Sequence, residues 1–168
     1  TGGVSLCMLA HNPDLTITGL DTSQQMLTAC EQNAELNGHT LELINTDITT
    51  WRTNRTFDIV VSNPPYFIDS QLPPDATRST ARHTATLPFD ELARGVVRLL
   101  ADDGAFSLIL PPTEMERFRS AARGILFTTR ECHVWSTPDS GVRRIMAELR
   151  TEPPTEPDPT YTAESGTD

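Results

Sequence analysis

Two rhythms of apolar and polar residues alternate along the chain. Short aliphatic and β-branched runs, LTITGLD, LELINTD, FDIVV and GAFSLILP, are separated by longer segments in which apolar residues return every three or four positions. The short runs read as strands and the longer segments as helices. Their regular alternation predicts a mostly parallel sheet covered by helices on both faces. TGGVSLCMLAH reads as a glycine turn entering a helix. Ser23 caps the next helix, MLTACEQNAEL carries its period, and Asn37-Gly38 ends it with residues that tolerate left-handed backbone. FDIVV is continuously apolar, which predicts a central parallel strand buried on both faces. PFDELARGVVRLLADDG reads as a helix with Pro88 near its first turn and Gly104 past its end. TEMERFRSAARG follows as a helix capped by Thr113, with acids in its first turn. Finally, TTRECHVWS and VRRIMAELR read as an antiparallel edge paired across the turn TPDSG.

Composition narrows this picture. The 168 residues suit one domain, and 37% hydrophobic content supports a real core. We expect that domain over 1–150. The net charge of −10 excludes a protein that grips nucleic acid over its whole surface, because phosphate binding needs Lys and Arg. Much of that charge sits in TEPPTEPDPTYTAESGTD, a Pro-rich stretch over 151–168 holding five acids and no base, which is expected to be disordered. Every base in the body is arginine, so any nucleic-acid contact must be concentrated. Cys7, Cys30 and Cys132 lie far apart without a CxxC pair, which suggests neither a disulfide framework nor a metal site. His11, His39 and His133 have no partners at ligand spacing. With no long apolar run and no basic leader, a cytoplasmic monomer without membrane contact is expected. An open sheet normally has a strand just before its glycine turn, whereas the sequence starts at Thr1-Gly2-Gly3 inside that turn. The expectation is an amino-terminal truncation lacking the first strand, with backbone groups of its neighbours exposed.

Ligands of open α/β sheets bind outside the carboxyl ends of the strands, so residues there are the first candidates. The glycine turn allows close backbone approach, and Asp21, at a strand end, can accept hydrogen bonds from ribose hydroxyls. Asp47 ends the third strand and Asn63-Pro64-Pro65-Tyr66 the fourth. Each signal alone is weak; an acid at a strand end is commonly a cap. Their order is more specific. A glycine turn, two acids after successive strands and then NPPY resemble the class I S-adenosylmethionine-dependent methyltransferases that act on amino groups. NPPYF, RSTARHT, FDELARGVVRLLADDGAFSLILP and the terminal strand with its paired arginines further resemble the bacterial family that methylates the adenine amino group beside the anticodon of a valine tRNA.

The resemblance implies a Rossmann-like fold, S-adenosylmethionine as cofactor and tRNA as substrate. It implies that Asp21 binds the cofactor ribose, that Asp47 and Ile48 hold and cover its adenine, and that Gly2 and Asn63 also border the cofactor. It also implies that Asn63, Pro64, Pro65 and Tyr66 hold the target amine. The chemistry of those residues fits. Prolines fix φ and lack an N–H, so the turn is stiff and its carbonyls point predictably. A conjugated amine is a poor nucleophile because its lone pair is delocalised. Acceptors at the Asn63 side-chain oxygen and the Pro64 carbonyl would let the nitrogen pyramidalise toward the methyl group. Tyr66, with Phe67 beside it, can stack on a planar base. Arg78, Arg82 and His83 follow in a loop where they would clamp phosphates around a flipped base, or simply be solvated charges. Arg52 and Arg55 flank Trp51 in another loop, and Arg143 and Arg144 open the last strand, where they would extend a basic rim. Two alternatives stay open: N-methylation of a protein glutamine, and a non-catalytic module that binds nucleotide or RNA.

Overall fold

The computed structural model describes residues 1–65, 87–137, 140–155 and, as backbone, 161–164. The described residues divide into two compact units, Thr1–Arg52 and Thr53–Asp168.

The first unit runs α1 (Gly3–His11), β1 (Thr18–Asp21), α2 (Gln24–Leu36) and β2 (Glu42–Asn45). Strands β1 and β2 pair in parallel, from Thr18 opposite Glu42 to Asp21 opposite Asn45. Gly2 precedes α1 with φ of 76°, a left-handed conformation open to glycine. A Cβ at Gly2 would lie 2.5 Å from Cys30 Sγ, so the glycine also permits the close approach of α2. Ser23 caps α2 by accepting from Met26 N, and Gly38 ends it with φ of 73°, as the sequence suggests. Leu27, Cys30 and Ala34, spaced three and four apart, form the helix's buried face.

The second unit contains β3 (Phe57–Ser62), α3 (Phe89–Leu99), β4 (Leu100–Leu110), α4 (Pro112–Ala121), β5 (Phe127–Trp135), β6 (Arg144–Arg150) and β7 (Tyr161–Glu164). Its five strands lie in the order β3-β4-β6-β5-β7. β3 and β4 are parallel, whereas β6 runs antiparallel to both β4 and β5. One face of the sheet carries Phe106, Leu108 and Leu110 of β4 beside Ile145, Ala147 and Leu149 of β6, all buried. Leu92 and Val96 of α3 and Met115 and Phe118 of α4 belong to the same core. The Phe118 ring meets Phe89 edge-on at 5.6 Å and Phe106 at 5.9 Å. Burying side chains of this size contributes roughly 1.5–3 kcal/mol each.

Several expectations are corrected. FDIVV is not an interior strand buried on both faces: β3 ends its sheet, with Ile59 51% and Val61 42% exposed. α3 stops at Leu99 rather than near Gly104, because Leu100 is already paired with Phe57. The register then skips from Leu100 to Ala105 while β3 advances only from Phe57 to Ile59. Gly104 makes this tight turn possible, since a Cβ there would stand 2.9 Å from the carbonyl oxygens of both Phe57 and Ala101. α4 begins at Pro112 behind Pro111, not behind Thr113; a proline suits the first helical position, whose N–H has no partner in any case. β5 and β6 do pair antiparallel, but β6 is interior, hydrogen-bonded on both edges. Nor is the acidic tail wholly without order. Tyr161–Glu164 adds to β5 in parallel, from Cys132 opposite Tyr161 to Trp135 opposite Glu164. Charge and proline content made that stretch read as disordered, yet β5 offers it an open strand edge.

Candidate functional site

Asp21 and Asp47 stand at the carboxyl ends of neighbouring parallel strands, β1 and β2. Both are half-buried, and the same local device fixes both. Asp21 Oδ1 accepts from Ser23 N at 2.8 Å, and Asp47 Oδ1 accepts from Thr49 N at 2.8 Å. Each is an Asx turn, written in the sequence as Asp-x-Ser and Asp-x-Thr. An ionised carboxylate accepts on both oxygens, so holding Oδ1 in the turn orients the group. The backbone beneath Asp21 is also held. Asn45 Nδ2 and Thr46 N donate to the Asp21 carbonyl at 3.1 Å each, a cross-strand tie that sequence reasoning missed. Ile48 is half-buried in a turn closed by Thr50 N and Trp51 N, which donate to the Asp47 carbonyl at 3.1 and 2.8 Å. Gly2 lies in the same unit at the amino end of α1, where Leu6 N donates to its carbonyl at 2.9 Å.

Asn63 follows the last residue of β3 in the second unit. Ser62, the strand's final pair, stands opposite Leu108, so the turn leaves the sheet while β4 is still paired. Asn63 is exposed, Pro64 buried and Pro65 exposed. The buried ring anchors the turn, while Asn63 beside it stays exposed. No cis bond occurs in the described chain, so both X–Pro links are trans. The sequence reading placed the turn at a strand end, and that is its position.

Tyr66, Phe67, Arg78, Arg82 and His83, the expected stacking and phosphate-binding residues, lie outside the described residues. Arg52 is engaged locally, donating to the carbonyls of Thr49 and Trp51 at 3.0 and 3.1 Å. Arg55 stacks over the Phe57 ring at 5.4 Å, at the opposite end of β3 from Asn63. That position separates it from the turn, and it joins no cluster with Asn63. His11 bonds the Cys7 carbonyl within α1, and His133 contacts Glu131 on β5. Among the described residues no group of His, Cys, Asp and Glu is arranged to hold a metal. No described helix is long and apolar enough to cross a membrane.

Comparison with known proteins gives these elements a context. The methyltransferase small domain family matches residues 1–87. The chain is 36% identical over 156 residues to a Vibrio cholerae protein named tRNA1(Val) (adenine(37)-N6)-methyltransferase, an alignment covering 91% of this chain and 65% of that one. A Parabacteroides distasonis protein of the same name is 33% identical over 162 residues, covering 94% of this chain and 68% of the relative. The chain thus spans about two thirds of the length of these relatives. Among solved structures, a predicted O-methyltransferase from Agrobacterium tumefaciens superimposes with a TM-score of 0.69 at 16% identity, over 97% of this chain and 73% of that one. TrmN from Thermus thermophilus gives 0.65 at 14% identity, over 89% and 40%. At such identities the structural likeness speaks to fold alone.

Proposed function

The chain belongs to the methyltransferase small domain family, and from that premise we propose that it transfers a methyl group from S-adenosylmethionine to the exocyclic amino group of an adenine in tRNA, beside the anticodon. The observation that carries this reading is the placement of Asn63-Pro64-Pro65 directly after β3, with the amide exposed and the middle proline buried. The names of the relatives supply the substrate.

The donor set fits the cofactor. Asp21 and Asp47 each have Oδ1 held within their own turn, which leaves Oδ2 to accept from vicinal ribose hydroxyls and from an adenine amine. Ile48 offers an apolar surface beside Asp47, and the left-handed Gly2 lets backbone approach without a Cβ. The cofactor, when bound, supplies an electrophilic methyl carbon on a sulfonium. The remaining work belongs to the chain. The Asn63 side-chain oxygen and the Pro64 carbonyl each accept one N–H of the target amine, which holds the nitrogen pyramidal and in line. Trans prolines on both sides keep the two acceptors at fixed separation, so little reorganisation is needed as charge develops on nitrogen. No base is required before attack, because the cationic product loses its proton readily. Tyr66 and Phe67 stack on the base, and Arg78, Arg82 and His83 hold its phosphates. The chain acts as a monomer in the cytoplasm.

Incubation with isotopically labelled S-adenosylmethionine and unmodified tRNA, followed by nucleoside mass spectrometry, tests the reading. Label in N6-methyladenosine supports it. Label on a protein glutamine instead, or none anywhere despite cofactor binding, would overturn it.

A further inference from the structure

The strand register of the second unit places a second group of side chains at the end of the sheet that carries Asn63 and Pro64. β3 runs parallel to β4, and β6 antiparallel to β4, so β6 starts where β3 ends. Ser62 stands opposite Leu108, which stands opposite Ala147; two residues further, Leu110 stands opposite Ile145. Extending that row by one residue reaches Arg144, with Arg143 just beyond. β6 lies two strands from β3, so these arginines are displaced from the Asn63-Pro64 turn by roughly 10 Å along the sheet edge.

Their backbone is held firmly. Arg143 N donates to the Val134 carbonyl at 2.8 Å, and Arg144 pairs with Val134 across the ladder. The hairpin tip is closed by Ser140, whose hydroxyl accepts from Ser136 N and Thr137 N at 3.1 Å each and donates to the Thr137 carbonyl at 2.8 Å. Arg144 is half-buried, and its Nη1 donates to the Arg143 carbonyl at 2.8 Å, which orients the guanidinium. Arg143 itself is exposed. Glu114, the acid at the neighbouring start of α4, is paired with Arg117 at 3.3 Å and thus partly neutralised. In a chain of net charge −10, Arg143 and Arg144 place two adjacent positive charges where β6 begins.

Resting on the methylation reading above, we infer that Arg143 and Arg144 clamp the phosphate backbone of the RNA strand one or two nucleotides from the base gripped by Asn63 and Pro64. Guanidinium groups bind phosphate oxygens in bidentate fashion, and such contacts set register without reading sequence. An extruded base must be accompanied by backbone anchored nearby, and these arginines lie at the same end of the sheet as Asn63.

The test uses the full chain and an anticodon stem-loop transcript of a valine tRNA, with binding measured over a range of salt. The double variant Arg143→Ala/Arg144→Ala should raise the RNA Kd about tenfold or more. It should also lower the slope of log K against log salt by about 1–2, with cofactor affinity and Tm as in the wild type. Arg143→Lys/Arg144→Lys should restore the slope, since lysine retains the charge. Unchanged affinity and slope in the alanine variant would overturn the inference, as would a loss that tracks a fall in Tm and is not rescued by lysine. A wild type that binds no RNA overturns it also. A wild type that binds RNA with the expected slope but methylates nothing sinks the proposed activity and leaves the clamp standing.

Discussion

The two units hold their candidate residues by different means. All seven of the largest fully buried side chains, Phe106, Phe118, Leu92, Leu110, Met115, Leu149 and Val96, belong to the second unit. The first has only Leu9, Leu27, Cys30 and Ala34 buried, beside a two-stranded sheet. The Asn63-Pro64-Pro65 turn therefore leaves a sheet that is backed by a deep core, with Pro64 buried, whereas Asp21 and Asp47 depend on two Asx turns and a cross-strand amide. Low packing density goes with low local stability, so the first unit is where a ligand has most to add. Binding to a folded unit stabilises it by RT ln(1 + [L]/Kd), about 2.7 kcal/mol at a hundredfold excess over Kd.

Substitutions can break this contrast, beginning with the largest effect. Phe118→Ala removes the ring that joins α4 to Phe89 and Phe106 and should cost about 3–5 kcal/mol, read as a lowered midpoint in urea. If it costs under about 1 kcal/mol, the second unit is not the rigid partner. Asn63→Ala should reduce methyl transfer about 10²–10³-fold with Tm unchanged, because the side chain is exposed and acts on the reacting amine. Wild-type turnover in that variant ends the assignment. Asp21→Asn keeps an oxygen for the Ser23 amide but removes the charge, and calorimetry should show cofactor affinity about tenfold weaker without a stability change. Ser23→Ala removes the cap of α2, and about 1 kcal/mol should be lost. By hydrogen exchange that loss should fall on amides of the first unit and spare β4. Smallest is Arg94→Ala, which breaks an exposed pair with Asp90 at 3.3 Å and should change stability by less than about 0.5 kcal/mol.

Much of this was legible from residues alone, and the failures have physical causes. The Ser23 cap and the Asn37-Gly38 stop follow from local rules, since each depends on residues a few positions apart, and the β5–β6 pairing follows from two neighbouring strands joined by one turn. The position of β3 does not. A continuous apolar run signals burial, but whether a strand is interior is decided by partners far away in sequence. The end of α3 was misread for a related reason: Ala101 to Gly104 continue a plausible helical tail, and only the pairing of Leu100 with Phe57 ends the helix earlier. Composition concealed β7, because four residues with strand-forming Tyr and Thr are diluted by prolines and acids around them. Asp21, Asp47 and Asn63 were placed at strand ends correctly because each closely follows a short apolar run, and the end of such a run is a local signal. Asn45 was missed because its partner is a backbone carbonyl on another strand, which no spacing announces.

Gly104 bears on the position of the Asn63 turn, although the two are far apart. It lies against the Phe57 carbonyl at the foot of β3, and six residues along that strand the chain delivers Asn63, roughly 20 Å away. Any side chain at Gly104 must push that foot aside, and a strand paired on one edge only can respond by sliding lengthwise. The Asn63-Pro64-Pro65 turn at its head would then shift with it, so a substitution at Gly104 is expected to lower methyl transfer in an activity screen much as a change at Asn63 itself would.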